Sequence, residues 1–153
     1  MYLNCKTYFS FKYGTFSTEA LVETAVERGV TSLALTNINS TYDCWDFVKR
    51  CVEKQLKPVL GVEIRNRNQF LYLLIAANNK GFRAINEFLS EHLLAKKDFP
   101  EILAANAVFD QRTDGFIIYP LGKKSFETLS ENERIGILPW EINKLYSLEW
   151  KSF

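Results

Sequence analysis

Between Thr31 and Ile64 the chain reads strand, helix, strand, and the connections leave little freedom in how those strands pair. "TSLALT" (Thr31–Thr36) is an apolar run short enough for a buried strand. Cys44, Phe47, Val48, Cys51 and Val52 then recur at i, i+3, i+4, i+7 and i+8, the stripe of an amphipathic helix. "KPVLGVEI" (Lys57–Ile64) follows as another buried strand, with Pro58 near its start, where a missing N–H is tolerated. Strands joined through a helix pair parallel, whereas a hairpin suffices for antiparallel neighbours.

The same unit occurs once more upstream. Tyr2 to Lys6 reads as a short strand, and Ser17 offers an N-cap for a helix carrying Leu21, Val22, Ala25 and Val26 inward. Glu19 suits the positive end of that helix, and Gly29 ends it. Downstream, "RNRNQ" (Arg65–Gln69) is a tight polar link to a fourth strand, Phe70–Ala76, antiparallel to the third. A helix from about Lys80 to Leu94 then carries Phe82, Ile85, Leu89 and Leu93 inward. "GFIIYP" (Gly115–Pro120) is a strand, "RIGIL" (Arg134–Leu138) a further one, and Pro139 opens a final short helix. No repeat, low-complexity tract or linker interrupts the chain. The class is α/β, with mostly parallel strands and outer helices.

The 153 residues correspond to one domain and are too few for a closed eight-unit barrel. The net charge of +1 argues against a domain that lives mainly on phosphate contacts. No apolar run approaches the length of a membrane helix, and no basic-then-apolar leader opens the sequence. Cys5, Cys44 and Cys51 lack metal-finger spacing and read as free thiols, which fits a cytoplasmic setting.

In a parallel α/β layer, chemistry gathers beyond the carboxyl ends of the strands. Those ends supply Asn4 and Lys6, then Asn37 and Asn39, then Glu63. Period-two alternation sets Asn4 and Lys6 on one face, and a curved sheet brings all five together. An ammonium beside a buried carboxylate would neutralise it, so Lys6 is expected to pair with Glu63. His92, the only histidine, falls on the apolar side of its helix and reads as a packed, hydrogen-bonded residue. Tyr8, Phe9, Phe11, Tyr13 and Phe16 form an aromatic cluster after the first strand; such rings can stack on bases, but with no companion basic groove they read as packing or as a contact with another domain.

The succession "YLNCKTYFS…YGT", "SLALTNINS", "LKPVLGVEI" and "LYLLIAANNKGFRAINEFLSEH" resembles the amino-terminal PHP (polymerase and histidinol phosphatase) domain of bacterial DNA polymerase III alpha subunits. The closing "NERIGILPWEINKL" resembles one lineage of these polymerases. In the family, the first strand reads H-x-H-T followed by an aromatic residue and serine. The second ends in T-D and a histidine or its substitute, and the third carries G-[IV]-K-P-[IV]-[IV]-G-x-E. The resemblance implies a partial PHP-type β/α barrel, a distorted relative of the TIM barrel. Residues 1–153 would be a single domain fragment, about the first half of that barrel. The family's carboxyl-terminal D-x-H motif is absent from the sequence.

Family members hold metal ions with His, Asp and Glu side chains and activate water against a phosphoester. Carried over by position, the two histidines of the first strand become Asn4 and Lys6. The aspartate after the second strand becomes Asn37, and its neighbour Ile38. An aspartate beyond the first strand falls at Tyr13, and a histidine in the fourth strand at about Leu71. Glu63 alone keeps a ligand's chemistry. The resemblance therefore implies vestigial metal-site positions at Asn4, Lys6, Asn37 and Glu63, no catalytic residue and no cofactor, with a divalent metal only if the site retains function. It implies a scaffold or docking module of a replicative DNA polymerase, itself a nucleotidyltransferase. The implied partners are other polymerase domains and a proofreading or clamp subunit, with DNA met only through the parent polymerase and no membrane. The alternative is an active metal-dependent phosphoesterase or 3′–5′ proofreading exonuclease.

Overall fold

Six strands form one curled sheet in sequence order, β1-β2-β3-β4-β5-β6, a half-barrel with helices on its outer face. The computed structural model describes residues 1–104, 106–111 and 113–146. The elements are β1 (Tyr2–Cys5), α1 (Thr18–Glu27), β2 (Ser32–Leu35), α2 (Cys44–Glu53), β3 (Lys57–Asn66), β4 (Gln69–Ala76), α3 (Asn79–Leu94), β5 (Gly115–Pro120) and β6 (Glu133–Gly136). Short 3-10 helices occupy Phe126–Thr128 and Pro139–Tyr146. β1, β2 and β3 pair in parallel, as do β5 and β6, and β4 alone runs the other way. No helix among the described residues is long and apolar enough to cross a membrane.

α1 begins and ends at its sequence signals, Ser17 and Gly29. The Ser17 hydroxyl accepts from the Ala20 N–H and caps α1. At the other end Gly29 takes φ +65°, and the Gly29 and Val30 N–H groups donate back to the Val26 and Ala25 carbonyls. That pattern is a Schellman motif, and a glycine is what its left-handed position favours. The Asn78 side chain caps α3 by accepting from the Gly81 N–H, and its amide nitrogen reaches Thr113 and Asp114 just ahead of β5.

The core has two parts. Val22, Ala25, Leu33, Leu35, Cys44, Phe47, Cys51 and Leu56 pack under α1 and α2, with Leu60 against them. Val62, Ile64, Leu71, Tyr72, Leu74, Ile85, Phe88, Leu89, Ile117 and Tyr119 form the larger part under α3. β3 serves both. Its first half, Lys57 to Leu60, pairs with β2, and its second half, Gly61 to Asn66, pairs with β4.

Four sequence expectations need correction. The link "RNRNQ" is mostly strand: Arg65 pairs with Phe70 and Asn66 with Gln69, leaving only Arg67 and Asn68 to turn. Arg67 adopts the positive φ that such a two-residue turn requires. Val26 and Val52 are exposed because both lie at the flank of a stripe whose centre already covers the sheet. Leu93 is exposed because the last turn of α3 runs past the residues the sheet covers, and Phe88 is buried in its place. Cys44 and Cys51 are buried free thiols whose pKa values burial pushes up, to about 12 and about 11.

Gly81 supplies a stability test. A Cβ on Gly81 would lie 1.8 Å from the Asp114 backbone oxygen, where backbone on both sides prevents adjustment. Gly81→Ala should destabilise the domain by about 1–3 kcal/mol, the usual cost of overpacking, measured by urea denaturation. Gly29→Ala meets open space and should lose about 1 kcal/mol through its φ alone.

Candidate functional site

Alternation along β3 sets Gly61, Glu63 and Arg65 on the concave face of the sheet, away from the helices. Asn4, Lys6 and Thr36 reach the same face from the ends of β1 and β2. Glu63 is 1 % exposed, and both of its oxygens are taken. Oε2 accepts from the Lys6 ammonium at 2.7 Å and from the Asn4 amide at 3.0 Å, while Oε1 accepts from Arg65 Nε. Lys6 also donates to Asn4 Oδ1 at 2.6 Å, which the Thr36 hydroxyl shares at 2.8 Å. The side chains of Lys6 and Arg65 are only 12 % and 14 % exposed, so both cations are largely withdrawn from water.

Burial alone would push the Glu63 carboxyl up. Hydrogen bonds from Lys6, Arg65 and Asn4, with the Lys6 charge, outweigh it and hold the group below the ordinary glutamate range. Two cations face one carboxylate, so the cluster carries an excess positive charge.

The expected residues do not all join this cluster. Asn4, Lys6 and Glu63 do. The Asn37 side chain turns aside: its oxygen accepts from the Thr7 N–H and the Ser10 hydroxyl, and its amide donates to Thr7. It anchors the loop after β1 rather than bonding Glu63. Asn39 takes φ +49° and clasps the Arg65 main chain in both directions, at 2.8 and 2.9 Å. Tyr13 stands over Arg65, with the guanidinium 4.3 Å from its ring centre and its hydroxyl accepting at 3.0 Å. Leu71 is buried in the larger core and Ile38 is only partly buried. His92 packs between Phe88 and Phe99 and meets the Phe88 carbonyl at 2.9 Å.

Arg65 completes the cluster from within "RNRNQ", whose polar composition reads as a link and conceals it. Extending the strand two residues past Glu63 would have placed it on the same face.

These residues do not fit a multi-metal cluster. The carboxylate is already bonded by two cations and an amide, an ammonium repels a metal ion, and amides are weak ligands for transition metals. Among the described residues there is no group of three or more His, Cys, Asp or Glu side chains placed to hold one.

Residues 3–131 match the PHP domain family, and the chain belongs to it. It is 29% identical to DNA polymerase III subunit alpha of Mycoplasma genitalium over 119 residues, covering 76% of this chain and 13% of that relative. The same subunit of Staphylococcus aureus is 29% identical over 93 residues, covering 59% of this chain and 9% of the relative. The chain thus spans only a small part of the curated relatives it matches. Among solved structures, an amidohydrolase from Chromobacterium violaceum shares the fold, with a TM-score of 0.52 at 11% identity, covering 98% of this chain and 72% of that one.

Lys6→Ala should destabilise the domain by about 3 kcal/mol at neutral pH, the lower end for a broken buried pair, because Arg65 and Asn4 still hold Glu63. The lowered pKa of Glu63 fixes the pH dependence. Its contribution is present above the unfolded glutamate value, about 4.3, and is lost as pH falls through the folded value. The stability gap between wild type and Glu63→Gln should therefore be widest at neutral pH and narrow below about pH 4, as read from denaturation midpoints across the acid range.

Proposed function

We infer that this chain is the PHP module of a replicative polymerase of the DNA polymerase III alpha kind, and that it serves as a scaffold or docking module without hydrolase activity of its own. One observation carries the reading: Glu63, at the position of a family metal ligand, is bonded by Lys6, Arg65 and Asn4. The ammonium and guanidinium supply the positive charge that metal ions would otherwise bring to a buried carboxylate. Asn4, Lys6, Asn37 and Glu63 are on this reading vestigial metal-site positions. A buried glutamate left without a cation would destabilise the domain, so substitution of the ligands by cationic and amide side chains keeps the fold while removing the chemistry.

Residues 1–153 are on the same reading about the first half of a PHP barrel. Two features support this. β1 and β6 are edge strands among the described residues, and a hollow of about 710 Å³ is lined by Leu3, Val59, Ile75, Phe116 and Ile118 together with Val48 of α2 and Phe82 of α3. The relatives support a polymerase context, and other polymerase domains as neighbours, with DNA met through the parent enzyme, are part of this reading.

Metal content and turnover test the reading together. Purified protein should carry well under one equivalent of zinc or manganese and should not degrade a single-stranded oligonucleotide or a phosphomonoester. Stoichiometric metal with turnover lost in Glu63→Gln would overturn it and establish an active metal-dependent phosphoesterase or 3′–5′ exonuclease.

A further inference from the structure

The loops that follow β1, β2 and β3 form one bonded rim. Asn37 ties the second to the first through Thr7 and Ser10, and the Ile38 N–H donates to the Ser10 hydroxyl. Asn39 ties the second to the third through Arg65, which returns to Tyr13 on the first. Over residues 6–17, 36–43 and 63–69 the charged side chains are Lys6, Lys12, Arg65, Arg67, Glu63 and Asp43, the last bonded by the Thr18 hydroxyl. The rim therefore carries two net positive charges in a chain whose total is +1. Lys12 and Arg67 are exposed and make no ion pair among the described residues.

On this basic rim stands an aromatic patch. Tyr8, Phe9, Phe11, Tyr13, Phe16 and Tyr42 are all exposed, and the Phe11 ring is 83 % so. Large rings held at a surface by a hydrogen-bonded loop, flanked by cations, are the composition of an interface centre.

We propose that this rim docks an acidic, amphipathic segment of a partner protein, whose apolar side chains cover Phe11 and Tyr8 and whose carboxylates meet Lys12 and Arg67. Charge complementarity selects an acidic partner. Four of the six rings are engaged with neighbours, which favours protein over single-stranded nucleic acid, a ligand that stacks its bases on free ring faces. Here Tyr8, Phe9 and Tyr42 lean on one another at 4.5 and 4.6 Å with planes tilted by 49° and 59°, and Arg65 covers the face of Tyr13. Lys6 and Arg65 are committed to Glu63, leaving two free cations, too few phosphate contacts to hold a strand in physiological salt. The proposal rests on the docking reading above and gives that role a surface and a partner chemistry.

Fluorescence anisotropy with the 153-residue chain tests it. The probes are a labelled synthetic peptide with a Leu/Phe face and a Glu/Asp face, its Lys/Arg counterpart with the same apolar residues, and oligothymidylate. The acidic peptide should bind, more weakly as salt rises, and the basic peptide should not. Lys12→Glu with Arg67→Glu should weaken binding about tenfold or more, and Phe11→Ala should do the same at unchanged charge. Glu91→Lys on α3 should leave binding intact, and circular dichroism should show all variants folded. Oligothymidylate binding at least as tight as the acidic peptide would overturn the proposal in favour of nucleic acid. So would indifference to peptide charge, or to both the charge-reversal and Phe11 variants. Metal content does not enter these outcomes, so failure here is distinct from failure of the vestigial-site reading.

Discussion

Everything at the strand ends depends on keeping one buried carboxylate ionised. Glu63 lies in the middle of the sheet with almost no water contact, where an unpaired charge would cost several kcal/mol. Lys6, Arg65 and Asn4 remove that cost, and each is itself held by something else. Thr36 shares the Asn4 oxygen, Asn39 fixes the Arg65 backbone and Tyr13 covers the guanidinium. The ends of three strands are thereby joined at Glu63, and the bonds of Asn37 and Asn39 tie together the loops after them. The basic rim with its aromatic patch is presented on that frame, so the proposed docking surface sits on hydrogen-bonded loops rather than on free ones.

The fold was largely legible because its signals are local. Parallel pairing of β1, β2 and β3 follows from helices between short strands, and the ends of α1 follow from Ser17 and Gly29. What failed depended on partners distant in sequence. "RNRNQ" looks like loop by composition, yet the pairing of Arg65 with Phe70 makes it strand. Leu93 fits the helical period but lies beyond the reach of the sheet, which no period reveals.

The site was legible in part for the same reason. Alternation and topology brought Asn4, Lys6 and Glu63 together, and they meet within hydrogen-bonding distance. Asn37 shared their strand-end position but bonds Thr7 and Ser10, because a side chain one residue along from Thr36 leaves on the other side of the strand. Arg65 was hidden by the misread turn.

β3 has a further consequence. Its ten residues are divided between two partners, β2 on its first half and β4 on its second. Leu60 packs with the α1–α2 core, whereas Val62 and Ile64 belong to the core under α3. Neither core owns the strand, so neither can melt without withdrawing support from the other. Two hydrophobic clusters that could have been separate folding units are coupled along one shaft, and the Glu63 cluster sits on that shaft, just past the point where the pairing changes hands.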